Sequence, residues 1–228
     1  MTKKEKYKLA RWAMEFALNN GAEAARVSIS NNNSSEIEVR DNKIDKLQEA
    51  NQNSMSIDLY VENKYSSIST NRLNNKEDLE QFIKDAISGT RFLAEDEFRT
   101  LPDQELYYKG GGKELKTVDP EFWNLDPQEK VKHAFQIEKE VLGKDERIIS
   151  MTASYNDSYS GMVMVASNGF EGDKENTSYS VVASVSVKDG DSRPQGYWWE
   201  SSLNYDQLIS EGVGEKALKL TLERLGQK

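Results

Sequence analysis

Residues 36–50 read EIEVRDNKIDKLQEA, and the segment VRDNKI within them decides between a helical and a sheet reading of the chain's first part. Ile37 and Val39 alternate with charged neighbours, which is the period of a strand with one buried face. Asp41-Asn42 then separates this run from Ile44 and Leu47. Two residues that tolerate positive φ between two such runs are a hairpin signal of the same kind as Asn-Gly, though weaker. Outward from this point lie Val27 and Ile29 on one side and Met55, Ile57, Leu59 and Val61, then Tyr65 and Ile68, on the other. Each run is short and bounded by Asn, Ser or Gly, so the spacing predicts an antiparallel meander of about five strands.

Helical spacing brackets the meander. Leu9, Trp12, Ala13, Phe16 and Ala17 form one apolar stripe over residues 3–20, with Gly21 as the stop, and Leu79, Phe82, Ile83, Ala86 and Ile87 form another over 76–93. From Glu95 to Asp126 the periodicity dissolves, and Pro102 with the glycines at 110–112 predicts a linker or exposed loop. Asp126-Pro127 then reads as an N-cap followed by proline in the first turn of a helix reaching about Leu142. Strands are expected near 146–156, 160–167, 174–188 and 195–203, and a last helix over 205–225. The fold class is therefore α+β, with two modules, each an antiparallel β-meander flanked by helices: 1–98, a linker at 99–125, and 126–228.

Composition removes whole classes of chemistry. With no cysteine, disulfides, thiolate nucleophiles and cysteine-ligated metals are excluded. A net charge of −9 without a basic cluster opposes direct nucleic-acid binding. The longest uncharged apolar stretch, GMVMVA at 161–166, is far too short to span a bilayer, and MTKKEKYKLARW lacks the apolar core of a signal peptide. The expected location is the cytoplasm, away from any membrane.

Few residues remain as candidates for chemistry. His133 is the single histidine, and it lies off the apolar stripe of its helix beside Lys132 and Glu129. A zinc site needs at least three donors and a serine nucleophile needs a base, so His133 is expected to be a solvated or rim residue paired with Glu129. KGGGKEL at 109–115 lacks the Ser or Thr of a phosphate-binding loop. Asp173, Glu175, Asp189 and Asp191 are the densest carboxylate group, in turns where Asp is expected for backbone reasons alone. No catalytic, cofactor-binding or metal-ligating residue is assigned. In GYWWE, Tyr197, Trp198 and Trp199 are the candidate partner or peptide contact, because alternation sends only one of the two tryptophans inward.

NNGAEAARVSIS at 19–30, EIEVRDNKIDKLQEA, SMSIDLYVENKYSSISTNRL at 54–73, the stretch 154–185, GYWWESS and EGVGEKALKLTLERLG at 211–226 together resemble the TldD/PmbA family, also called modulators of DNA gyrase. The resemblance spans essentially the whole chain. It implies a cytoplasmic, bacterial zinc-dependent metallopeptidase system for proteolysis of unfolded peptides, in which a TldD-type subunit carries zinc on a His-Glu-x-x-x-His motif. A PmbA/TldE-type subunit lacks that site. The motif does not occur here, so no zinc ligand is carried over. SNGFEG at 167–172 with the following Ser/Thr/Tyr-rich strand is more similar to the PmbA/TldE type. The expectation is the N-terminal half of such a subunit, inactive alone, paired with a TldD-type subunit or in a homodimer, and taking unfolded peptide. Peptide pairing by strand addition is expected at the strands around 55–61 or 195–203. The alternative is a non-enzymatic interaction module acting on a protein such as gyrase.

Overall fold

Asp41 and Asn42 have φ of 53° and 56°, the left-handed pair that a two-residue hairpin with matching twist requires. Glu62 and Asn63 repeat the geometry with φ of 53° and 56°. These two turns join three strands: β1 (Ala24–Arg40), β2 (Lys43–Val61) and β3 (Lys64–Thr70). The computed structural model describes residues 1–110 and 113–227. Glycines 111 and 112 of the expected linker lie outside the described residues. Helices α1 (Lys3–Asn19) and α2 (Lys76–Thr90) flank the first three strands. Helix α3 (Pro127–Lys139) then precedes β4 (Ile148–Ala166), β5 (Glu171–Val187), β6 (Gln195–Ser202) and helix α4 (Val213–Leu222).

The six strands form one antiparallel sheet in the order β3-β2-β1-β4-β5-β6, so two three-stranded meanders meet at β1 and β4. The fold is α+β, as expected. Strand number is corrected: the runs at 27–29 and 37–39 are one strand of 17 residues, and those expected at 146–156 and 160–167 are one strand of 19. The last helix is also shorter than expected, because 205–207 is a single 3-10 turn and α4 begins at Val213.

The chain divides into two compact units that are not contiguous in sequence. One contains residues 1–32, 51–115 and 160–175, the other 33–50, 116–159 and 176–228. These units do not coincide with the modules expected over 1–98 and 126–228, because β1, β2, β4 and β5 each contribute residues to both units. The physical reason is length. A 19-residue strand extends about 60 Å, more than one helix pair covers.

In the first unit α1 buries Ala10, Ala13 and Ala17, whose small side chains let the helix backbone approach closely, while Leu9, Trp12 and Phe16 flank them. Thr2 and Glu5 form a reciprocal capping box at its start. These residues pack with Val27, Ile29, Ile57, Leu59 and, from α2, Leu79, Ile83 and Ile87. In the second unit Ala134 and Ile137 of α3 and Val213 and Ala217 of α4 pack with Ile37, Val39, Tyr155, Tyr179 and Val181. The Asp126 carboxylate accepts the Gln128 N–H at 2.9 Å, with Pro127 in the first turn, as expected. Parts of the expected linker are held in place: Asn168 donates to the Pro102 carbonyl at 2.8 Å, and Tyr107 packs on Phe170. No helix is long and apolar enough to cross a membrane among the described residues.

Candidate peptide-contact surface

Strand β6 pairs with β5 on one side only and stands at the end of the sheet, so among the described residues its other backbone edge has no strand partner. Alternation divides its side chains. Gly196, Trp198 and Glu200 share one face. The Trp198 indole N–H donates to Glu200 at 2.9 Å, Lys216 of α4 sits 4.9 Å from the ring centroid, and its amine is 3.2 Å from the same carboxylate. Gly196 is required there, since a Cβ would come within 2.6 Å of the Thr221 hydroxyl and 2.9 Å of its amide nitrogen. Tyr197 and Trp199 occupy the opposite face, 61% and 55% exposed, paired in register with Ser184 and Val182. Two ring faces thus stand beside a free edge over a floor that includes Ser180, Ser184 and Ser201. Such a platform can stack on side chains while the edge supplies main-chain hydrogen bonds.

The other expected edge, 55–61, is corrected: β3 covers it from Met55↔Thr70 to Val61↔Lys64. The uncovered length of β2 on that side is 43–54, which β3 does not reach.

His133 is not a solvated partner of Glu129, which instead pairs with Lys132. Both ring nitrogens are engaged, Nδ1 with the Ser210 hydroxyl at 2.9 Å and Nε2 with the Tyr205 hydroxyl at 2.9 Å. The ring stacks on Tyr155 at 5.7 Å. Burial pushes the imidazole below its usual pKa, against the opposing pull of Glu129. The distance in sequence, 77 residues, hid the Ser210 contact from sequence reasoning. It has the spacing of a nucleophile and base, but Ser210 is buried and no carboxylate orients the ring. The nearby Gly212 and Gly214 N–H groups donate to Glu140 at 2.9 and 2.8 Å, so they are not free to hold an oxyanion. The cluster fastens the segment between β6 and α4 to α3.

Beside it, Lys130 and Asp157 form a buried ion pair at 2.6 Å, and the Tyr155 hydroxyl donates to the same carboxylate oxygen at 3.0 Å. Asp173 and Glu175 pair with Lys3, and Asp189 accepts the Gly226 N–H, so the four expected carboxylates do not converge. Among the described residues no group of three or more His, Asp or Glu side chains is placed to hold a metal ion. With its one imidazole committed to two hydroxyls, the donor set does not fit a hydrolytic zinc.

The family models described as PmbA/TldA metallopeptidase domain 1 and central domain match residues 25–89 and 120–225. No curated protein matches the chain. A solved structure from Bacteroides thetaiotaomicron, named as a modulator of DNA gyrase, superposes with a TM-score of 0.95 at 47% identity, covering 100% of this chain and 52% of that one. Another of that name from Thermotoga maritima has a TM-score of 0.72 at 18% identity, covering 97% of this chain and 49% of its own. TldE from Thermococcus kodakarensis has a TM-score of 0.71 at 16% identity, covering 95% and 47%. At those two identities the likeness concerns the fold alone. The chain spans about half the length of these structures. The two domain matches, covering most of the sequence in the expected order, establish that the chain belongs to the PmbA/TldD family.

Proposed function

We propose that this chain is the peptide-handling and assembly portion of a PmbA/TldE-type subunit, working with a TldD-type partner that carries zinc in the proteolysis of unfolded peptides. The observation that carries the reading is the free edge of β6 with Tyr197 and Trp199 exposed beside it. An edge of this kind recognises main chain, which suits substrates defined by lack of structure. The shortage of metal donors supports placing hydrolysis outside the described residues. The family-model descriptions, which name metallopeptidases, support the reaction class.

The test is to tag the protein at its own locus, recover it from its own cells, and offer the complex an unfolded substrate such as casein. Recovery of a TldD-type protein with cleavage that a chelator abolishes is the expected result. Recovery of gyrase without any cleavage would replace this reading with that of a regulatory interaction module. Homodimers with no partner and no cleavage would also overturn it.

A further inference from the structure

Beyond the β6 edge, the first unit holds a cleft of about 560 Å³ whose lining includes Ser30, Asn32, Gln52, Asn53, Asn71 and Asn74. No acidic, basic or aromatic side chain is part of the lining. Side-chain amides offer both donors and acceptors at fixed spacing, which matches neutral groups of the same kind. Among the described residues, the side chains of Asn32, Gln52, Asn71 and Asn74 have no hydrogen-bond partner. The lack of basic side chains argues against phosphate or carboxylate ligands, and the lack of rings against sugars, whose apolar faces favour aromatic platforms.

The backbone supplies the second observation. Pairing of β3 with β2 ends at Thr70↔Met55, and Asn71–Asn74 lead away toward α2. Residues 51–54 of β2, which line this cleft, therefore have no β3 partner, and alternate residues of the stretch aim main-chain N–H and C=O groups to that open side. A strand laid about 4.8 Å from β2 would continue the line of β3.

Resting on the peptide-handling reading above, we infer that this cleft is a second, sequence-tolerant site that binds an uncharged extended peptide by adding it to β2 at residues 51–54, with the amides of Asn71 and Asn74 bonding its main chain.

The experiment uses the 228-residue chain and an acetylated, amidated heptapeptide of Ser, Thr and Val, followed by backbone NMR and amide exchange. Saturable binding should slow exchange within 51–54. N-methylation of alternate peptide residues in one of its two registers should abolish it. N71A/N74A alters two exposed side chains and should weaken binding at least fivefold with an unchanged melting temperature. Equal binding of both N-methylated registers, perturbation only outside 51–54, binding of maltoheptaose in the peptide's place, or self-association that closes the edge would each overturn the inference. If the partnered complex cleaves casein while 51–54 stays silent, this site is wrong and the proposed function stands. If peptide is neither bound nor cleaved, both fall.

Discussion

Replacing Lys130 by Met should be among the most damaging single changes in the second unit. The Lys130 amine lies 2.6 Å from Asp157 and 3.2 Å from the Ser35 hydroxyl, and the side chains of the ion pair are 11% and 1% exposed. The other Asp157 oxygen, Oδ1, has no hydrogen-bond partner. Removing the cation leaves a desolvated carboxylate supported only by the Tyr155 hydroxyl, and breaking a buried pair in this way costs about 3–5 kcal/mol. For a chain of this size that corresponds to a fall in melting temperature of roughly 6–20 °C. The triple variant K130M/D157L/Y155F removes cation, anion and the hydroxyl that would otherwise lose its acceptor. Apolar replacement of a whole buried ionic group is often neutral, so this variant should recover to within about 1–2 kcal/mol of the parent. Calorimetry and urea unfolding read both quantities. A K130M loss under about 1 kcal/mol, or a triple variant as unstable as the single, would refute the argument that the isolated charge is what costs stability.

Other outcomes follow from single contacts. G196A forces a methyl group against Thr221 of α4 and should cost roughly 1–3 kcal/mol, measurable by urea unfolding. For His133 the folded pKa lies below the unfolded value near 6.5, so the unfolded chain takes up the proton first. Its contribution is present above about pH 6.5 and lost as the pH falls through the folded pKa. The melting temperature of the parent should therefore drop more between about pH 7 and pH 5 than that of H133Q, and parallel curves would contradict this. E62N/N63G places residues suited to positive φ in the β2–β3 turn and should add roughly 1 kcal/mol of stability by thermal melting. Its lost contact to Arg91 is exposed and weighs little. Y197S/W199S should leave stability within about 0.5 kcal/mol yet weaken peptide or partner capture about tenfold, read by pull-down and anisotropy titration.

The order of helices and meanders was legible because period 2 and period 3.6 are local properties. Strand length was not. Asn31 to Ser35 lie in the middle of β1, where they read as a turn, and Asp157 to Tyr159 do the same in β4. Those polar stretches fall between the residues of the two hydrophobic cores, so the strand continues while its apolar run pauses. The opposed placement of Trp198 and Trp199 could be read from alternation alone. The engagement of His133 by Tyr205 and Ser210 could not, because it depends on where a loop 72 to 77 residues later comes to rest. The same limit hid the end of β3 at Thr70, and with it the open stretch of β2.

Glu140, just past the end of α3, holds the first amides of α4, while a Cβ at Gly214 would lie 2.5 Å from the Ile137 carbonyl. Helix α4 has no side-chain cap of its own, because its N-cap residue is Gly212 with φ of 80°. Its nucleation, the costly step for any short helix, is therefore completed by a residue 74 positions earlier than Gly214. A chain in which α3 is unwound should therefore also fray over α4.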